Sequence, residues 1–395
     1  MESLTRFGRR AASFLTMKMT KYRMLFSMHL QYLFSRRTRR IFSETRHLVE
    51  DPPTSAINRE LHERASKKAV EQFTLQKEEQ IPPPYRPGVM WSNILESLAT
   101  FRTWKESGSL AVLQDALLTF YRTDLVTAHS GDLYYWDILA GRVNLKLQVY
   151  MILTRFRELA RENLLFPPGS ISTTDIGQNM YVPADGQKLT FKILRHAYYL
   201  NRLMQLGLAR NTPMVIGELG SGAGELTILT KKILPEVKYL CFDLPETLLT
   251  ATYNILMTFP DLRIGLYSDF RTRHRITRED IALYDIILLP NWCIEWVDDD
   301  AISLFVNIGS LSEMDRPIIE NYLRQIERTC SGYFYTVNRN ISIPQYGAHD
   351  IPVCEFPFSP QSTLVSGQYD EAADRFHVRY GMDYRTNYWE FVFRV

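Results

Sequence analysis

The string VIGELGSGAGELTIL, Val215–Leu229, constrains the fold more than any other part of this 395-residue chain. An apolar run reaches Glu218, glycines stand at alternate positions (Gly220, Gly222 and Gly224), and an amphipathic run follows. Glycine is needed where a backbone takes positive φ or touches a ligand with no Cβ between them. The string predicts a strand, a tight loop and a helix. In open α/β sheets, a loop at a strand's carboxyl end is where ligands bind.

The flanking texture points the same way. From Thr212 onward, β-rich runs alternate with helical ones: Met214–Leu219, Glu225–Leu234, Val237–Phe242, Glu246–Phe259 and Leu262–Tyr267. Asp285–Leu289, Ser303–Asn307, Arg316–Arg328 and Tyr333–Val337 continue the pattern. Such alternation predicts crossover units and a mostly parallel sheet covered on both faces. Phe376–Tyr380, a turn at Gly381-Met382-Asp383, and Tyr388–Val395 predict an antiparallel edge at the C-terminus. Residues 212–395 therefore read as one Rossmann-like α/β domain.

Spacing discriminates between ligands. A dinucleotide fingerprint, GxGxxG, seats a pyrophosphate on the helix N-terminus. Here its third glycine would fall on Glu225, whose carboxylate repels pyrophosphate. An acidic residue followed by GxGxG resembles motif I of the class I S-adenosyl-L-methionine-dependent methyltransferases, whose donor carries no phosphate. Asp243 closes the next apolar run, in YLCFDLPETL, 19 residues after Gly224. A carboxylate there can accept hydrogen bonds from both ribose hydroxyls. It can equally cap the following helix, where Pro245 suits the first turn and Glu246 complements the positive end.

Four stretches resemble the sugar O-methyltransferases found near bacterial polysaccharide-synthesis loci. They are LTFKILRHAYYLNRL, the glycine loop, CFDLPETLLTATYNILMTFP and LFVNIGSLSEMDRPIIENYLRQIERTCSGYFYTVNR, within about residues 175–340. The loop departs from that family in carrying Gly220-Ser221-Gly222 where three consecutive glycines are usual. The resemblance implies a class I methyltransferase fold, S-adenosyl-L-methionine as cofactor, and transfer of a methyl group to a sugar hydroxyl in a glycan or glycan precursor. The alternative readings are a class I methyltransferase acting on another small or lipid-linked acceptor, and a non-catalytic binding protein of the same fold.

By the same resemblance Glu218, Gly220, Gly222, Gly224 and Asp243 hold the donor. Asn291 and Trp292 contact its adenine if Asp285–Leu289 is the third strand, or Asp269 does if Leu262–Tyr267 is. Asn307, Ser310 and Glu313 face the reaction, and Asn338-Arg339 suits a sugar's hydroxyls. Methyl transfer is largely a matter of positioning, but a sugar hydroxyl is a poor nucleophile until a base takes its proton. Glu313 is the first candidate base, then His349, then His196. Glu313 has the alternative of a helix N-terminal carboxylate, and His196 that of a buried helix residue. No residue pattern demands a metal.

The N-terminal half reads as helical. Residues 1–46 hold 11 Lys or Arg against two acidic residues, +9, which leaves −7 for the rest of the chain. A mildly acidic body argues against a nucleic-acid partner. The basic segment, with Tyr22, Leu25, Phe26, Leu30, Leu33 and Phe34 near helical spacing, suits an anionic membrane surface, a targeting segment or a packed helix. Residues 47–90 read as a proline-bounded linker around a charged helical stretch, and 91–211 as a helical domain. Trp91, Trp104, Tyr134, Tyr135 and Trp136 read as its core, with sugar stacking as the alternative. Four scattered cysteines and no apolar run of about 20 residues point to a cytoplasmic protein, at most peripheral to a membrane.

If the basic segment meets a membrane, each nearby Lys or Arg adds about 1 kcal/mol, decaying within a Debye length. The full chain should sediment with anionic liposomes at low salt and be released at high salt. Deleting residues 1–46 should abolish this binding. A truncated protein that unfolds instead would identify the segment as a packed helix.

Overall fold

In the computed structural model, which describes residues 35–50, 58–126, 144–208, 214–340, 351–375 and 387–395, the N-terminal helices are packed elements. Helix α1 (Arg36–Glu50) buries Thr38, Ile41, Thr45 and Val49, a stripe at helical spacing. Its arginines at 36, 37, 39, 40 and 46 stay exposed. Helix α2 (Arg59–Lys77) starts where the Asn58 side chain accepts from Leu61 N at 3.1 Å, and it buries Ala65, Ala69, Val70 and Phe73. Helices α3 (Val89–Ser97), α4 (Ala99–Ser107), α5 (Leu110–Leu118) and α6 (Leu145–Arg161) follow. Strands β1 (Val182–Ala184) and β2 (Gln187–Leu189) form a hairpin that turns at Asp185 (φ 52°) and Gly186 (φ 81°). Positive φ at both central residues is the turn geometry that Asp-Gly favours. Helix α7 (Phe191–Gln205) then leads to the sheet.

Eight strands form that sheet. They are β3 (Val215–Leu219), β4 (Lys238–Asp243), β5 (Ile264–Leu266), β6 (Ile286–Pro290), β7 (Ile302–Ile308), β8 (Cys330–Arg339), β9 (Thr363–Tyr369) and β10 (Tyr388–Arg394), in the order β5-β6-β4-β3-β7-β8-β10-β9. The β3, β4 and β6 strands are buried on both faces, as near-continuous apolar runs require. Helices α8 (Glu225–Ile233), α9 (Pro245–Thr258) and α10 (Arg316–Thr329) supply crossovers. All pairings from β5 to β8 are parallel, and β10 runs antiparallel to both β8 and β9. This is a class I methyltransferase architecture: mostly parallel, with an antiparallel C-terminal edge behind a helical N-terminal region.

Chain order reverses at β3, with β4 on one side and β7 on the other. The glycine loop leaves β3 at that switch point, where open sheets leave a crevice. The β6 strand lies directly beside β4 and β5 lies outside it, so Asp285–Leu289 is the run that occupies the third position. The last strand pairs antiparallel with β8 on one side and β9 on the other; Phe376–Tyr380 lies outside the described residues.

Inside the stretch read as a linker, α2 lies along α9. Ala65, Ala69, Val70 and Phe73 share one apolar cluster with Leu249, Tyr253 and Ala223 of the glycine loop. Polar contacts flank it: His62 Nδ1 lies 2.8 Å from Tyr253 Oη, and Lys77 Nζ lies 2.8 Å from Glu246. Pro83–Tyr85 form one short helical turn that buries Tyr85 completely. Phe73 is 1% exposed and stacks on Phe101 with centroids 5.5 Å apart. Phe73→Ala should therefore destabilise the protein by about 3–5 kcal/mol in a denaturant titration. A change under about 0.5 kcal/mol would mean that this stretch is a detached spacer after all.

Candidate functional site

The loop after β3 holds all three glycines in the left-handed region, Gly220 at φ 81°, Gly222 at 57° and Gly224 at 73°. A Cβ on Gly220 would collide with the Ser310 side chain, and one on Gly224 would come within 2.8 Å of Ile255 Cδ1. The loop is tied to its surroundings by side chains from three other elements. Asn254 Nδ2 on α9 donates to Ala223 O at 2.8 Å, and Asn307 Nδ2 at the end of β7 donates to Leu219 O at 2.8 Å. Gly222 N donates to Asp243 Oδ2 at 2.8 Å, across from the end of β4.

Asp243 is half-buried at the end of β4. Its Oδ1 accepts from Leu244 N at 2.7 Å, at the start of α9, while its Oδ2 faces the loop. Each carboxylate oxygen has two acceptor sites, so capacity remains for a ligand's hydroxyls. Burial pushes the Asp243 carboxyl up to about 7, against the opposing hydrogen bonds from Gly222 and Leu244, and the nearby Glu313 charge adds to the rise.

Glu218 sits differently. It is 4% exposed and lies beneath the loop, where Tyr239 Oη donates to Oε2 at 2.9 Å and Thr227 Oγ1 at 3.3 Å. Burial pushes its carboxyl up to about 7 as well. Its contacts make it a support of the loop. Trp292 is also a core residue, 5% exposed and edge-on to Tyr267. Asn291 is buried too, but its Nδ2 donates to Tyr85 O at 2.8 Å and Tyr322 Oη at 2.7 Å, while its Oδ1 has no partner among the described residues. Asp269 accepts from Leu266 N at 2.8 Å and closes a short turn after β5.

On the other side of the switch point, Asn307 is fully buried and accepts on Oδ1 from Asn338 Nδ2 at 2.7 Å. Asn338 Oδ1 in turn accepts from Ser312 N at 2.9 Å, and Arg339 donates to Ser312 O at 2.6 Å. This network fixes the loop that carries Glu313. Both asparagines are consumed by it. Glu313 Oε2 accepts from Trp91 Nε1 at 3.1 Å, so α3 of the N-terminal half reaches the site. Trp91, half-buried, is thus a site residue that a core reading misses. Spacing also gave no signal for Asn254.

His196 is 8% exposed on α7, and burial with Lys192 and Arg195 nearby holds it well below the usual histidine range. His349 lies outside the described residues. No group of three or more His, Cys, Asp or Glu among the described residues is placed to hold a metal.

No protein-family model matches the chain, and no curated protein matches it. Solved structures similar to parts of it include a protein from Methanococcus maripaludis described as an S-adenosyl-L-methionine-dependent methyltransferase. Identity there is 18% over 38% of this chain and 57% of that one, with a TM-score of 0.26. The matched region thus spans little more than half of that protein. The N-methyltransferase NodS from Bradyrhizobium japonicum WM9 is 15% identical, over 52% of this chain and 96% of its own, with a TM-score of 0.32. TrmK from M. capricolum, solved with S-adenosylhomocysteine, is 13% identical over 49% of this chain and 67% of its own, at 0.27.

The raised Asp243 carboxyl has a measurable consequence. A carboxyl with a raised folded pKa binds its proton more tightly folded than unfolded. Its contribution to stability is whole below about pH 4 and is lost as pH rises through about 7. The stability difference between the parent and Asp243→Asn should therefore change steadily between pH 4 and 7, moving in the variant's favour, and level off above. A difference that stays flat across that window would show that Asp243 titrates as an ordinary surface carboxyl.

Proposed function

We propose that this chain is an S-adenosyl-L-methionine-dependent O-methyltransferase that methylates a sugar hydroxyl in a glycan or glycan precursor. The observation that carries the donor half of the reading is the bond from Gly222 N to Asp243 Oδ2, 2.8 Å. It sets a carboxylate with spare acceptor capacity beside a loop that approaches a ligand through glycine backbone. That pairing suits a ribose rather than a phosphate. Asp243 and Glu313 lie within electrostatic reach of one another beside the loop, and a pair of carboxylates favours a cationic sulfonium over an anion. The unpartnered, buried Asn291 Oδ1 suits the amino group of an adenine.

When bound, such a donor supplies an electrophilic methyl group. The chain's own contribution is positioning and proton removal. Glu313 is the group to accept the acceptor hydroxyl's proton, held in place by Trp91 Nε1 and by the backbone that Asn338 and Arg339 fix. The sugar acceptor is supported by the resemblance of the DLPET and NIGSLSEM to YFYTVNR stretches. A cytoplasmic site of action is supported by Cys241, Cys293, Cys330 and Cys354, all free thiols. Among the described residues no helix is long and apolar enough to cross a membrane. Membrane contact, if made, falls to the basic segment at 1–46.

The test is calorimetric titration of S-adenosyl-L-methionine into the parent and two variants, each checked by a circular dichroism melt. Gly222→Val should abolish binding, because a β-branched residue is strained at φ 57° where backbone meets ligand. Asp243→Ala should weaken binding by about 1.5–3 kcal/mol, as for a lost charged hydrogen bond. Folded variants that bind the donor like the parent would overturn the assignment.

A further inference from the structure

A cavity of about 100 Å³ lies between α1, α6, α7 and the hairpin, and Asp243 is not among the residues that line it. The wall is apolar: Val49, Val126, Val149, Ile152, Val182 and Phe191 line it. One end is polar. Lys192 Nζ and Glu225 Oε2 pair there at 2.7 Å, with side chains 15% and 5% exposed, next to Asn179 and Tyr121. Glu225 directly follows Gly224, so the polar end abuts the glycine loop. One turn along α7 from Lys192, Arg195 lies within electrostatic reach of Tyr388, which is within reach of Glu313. Helix α7 thus bears on the polar end through Lys192 and on Tyr388 through Arg195.

An apolar wall with one polar end beside the loop matches an amphiphile whose head faces the chemistry. The wall helix α1 also exposes Arg36, Arg37, Arg39 and Arg40, of which Arg37 pairs with Asp185 and Arg40 with Glu44, so that Arg36 and Arg39 carry the face's uncompensated charge. Such a face suits the anionic membrane surface from which an amphiphile would be drawn. We propose that this cavity holds the hydrocarbon chain of a lipid-linked sugar acceptor, with the sugar toward Lys192 and Glu225. The proposal rests on the methyltransferase reading and names its acceptor class.

The experiment uses the full chain and three alkyl maltosides (octyl, decyl and dodecyl), titrated below their micellar concentrations, with maltose as the chainless control. Affinity should rise with chain length, by at most about fourfold per buried methylene, and maltose should give no saturable signal. Ile152→Trp fills the cavity, and Val149→Phe does so with a smaller side chain. Either variant, melting like the parent, should lose at least tenfold in dodecyl maltoside affinity and keep S-adenosylhomocysteine affinity within twofold. Affinity independent of chain length, or a folded variant that binds dodecyl maltoside like the parent, would overturn the proposal. S-adenosylhomocysteine binding without chain-length dependence sinks the cavity assignment alone. Chain-length dependence without S-adenosylhomocysteine binding sinks the methyltransferase reading and leaves the cavity as an amphiphile site.

Discussion

A loop with three left-handed glycines has little to hold it in one conformation, because glycine gives up the most chain freedom on ordering. Here the ordering comes from side chains that lie far off in sequence. Asn254 clamps Ala223 O, Asn307 clamps Leu219 O, and the Asp243 carboxylate receives Gly222 N. Each of the three sits at or beside the C-terminal end of the sheet and belongs to a different element. The geometry of the site follows from that pinning. If β4, β7 or α9 shifted, the loop would lose a partner and a buried backbone group would go unpaired, at a cost of about 1–3 kcal/mol.

The same pinning sets the electrostatics. Glu218 is buried directly under the loop and Asp243 stands at its side, and burial raises both carboxyls to about 7. Holding two such groups close to neutrality at the end of a sheet is unfavourable for stability at pH 7. A ligand that brings positive charge or hydroxyl donors relieves it. A pyrophosphate would make it worse. The glycine register therefore excludes the dinucleotide reading through the Cβ at position 225.

Much of this was legible in the sequence, and what was not has physical reasons. The strand, loop and helix at Val215–Leu229 show in local pattern alone, because glycine spacing and apolar runs report backbone geometry directly. Asp243 shows for the same reason, at a fixed offset at a strand end. The pinning asparagines do not, since Asn307 and Leu219 are 88 residues apart and nothing local marks either. Glu218 and Trp292 have suitable chemistry, but side-chain direction is decided by packing, which turns both into the core. Two signals for these elements do stand in the sequence. Asp185-Gly186 is a hairpin dipeptide, and Ala65, Ala69 and Phe73 recur every four residues, the mark of a buried helical face. The prolines around 52 and 82 drew the reading toward a spacer, although a rigid turn such as Pro83–Tyr85 serves equally to dock a helix.

That docking changes what the N-terminal half is for. Tyr85 O takes a hydrogen bond from Asn291, Gln72 Oε1 takes one from Ser268 N, Lys77 pairs with Glu246, and Trp91 holds Glu313. All four partners lie at the C-terminal ends of the strands or in the turns and helix starts that follow them, where an α/β sheet binds ligands. An isolated α/β domain would take from Asn291 Nδ2 its bond to Tyr85 O, take from Glu313 its bond from Trp91, and uncover the apolar face of α9 that α2 buries. The helical half thus supplies the roof of the site, so the orientation of Glu313 is set by a residue, Trp91, that is 222 positions away in sequence. A site assembled from both halves can form only when both are folded, which couples the chemistry of the loop to the packing of helices that show no chemistry of their own.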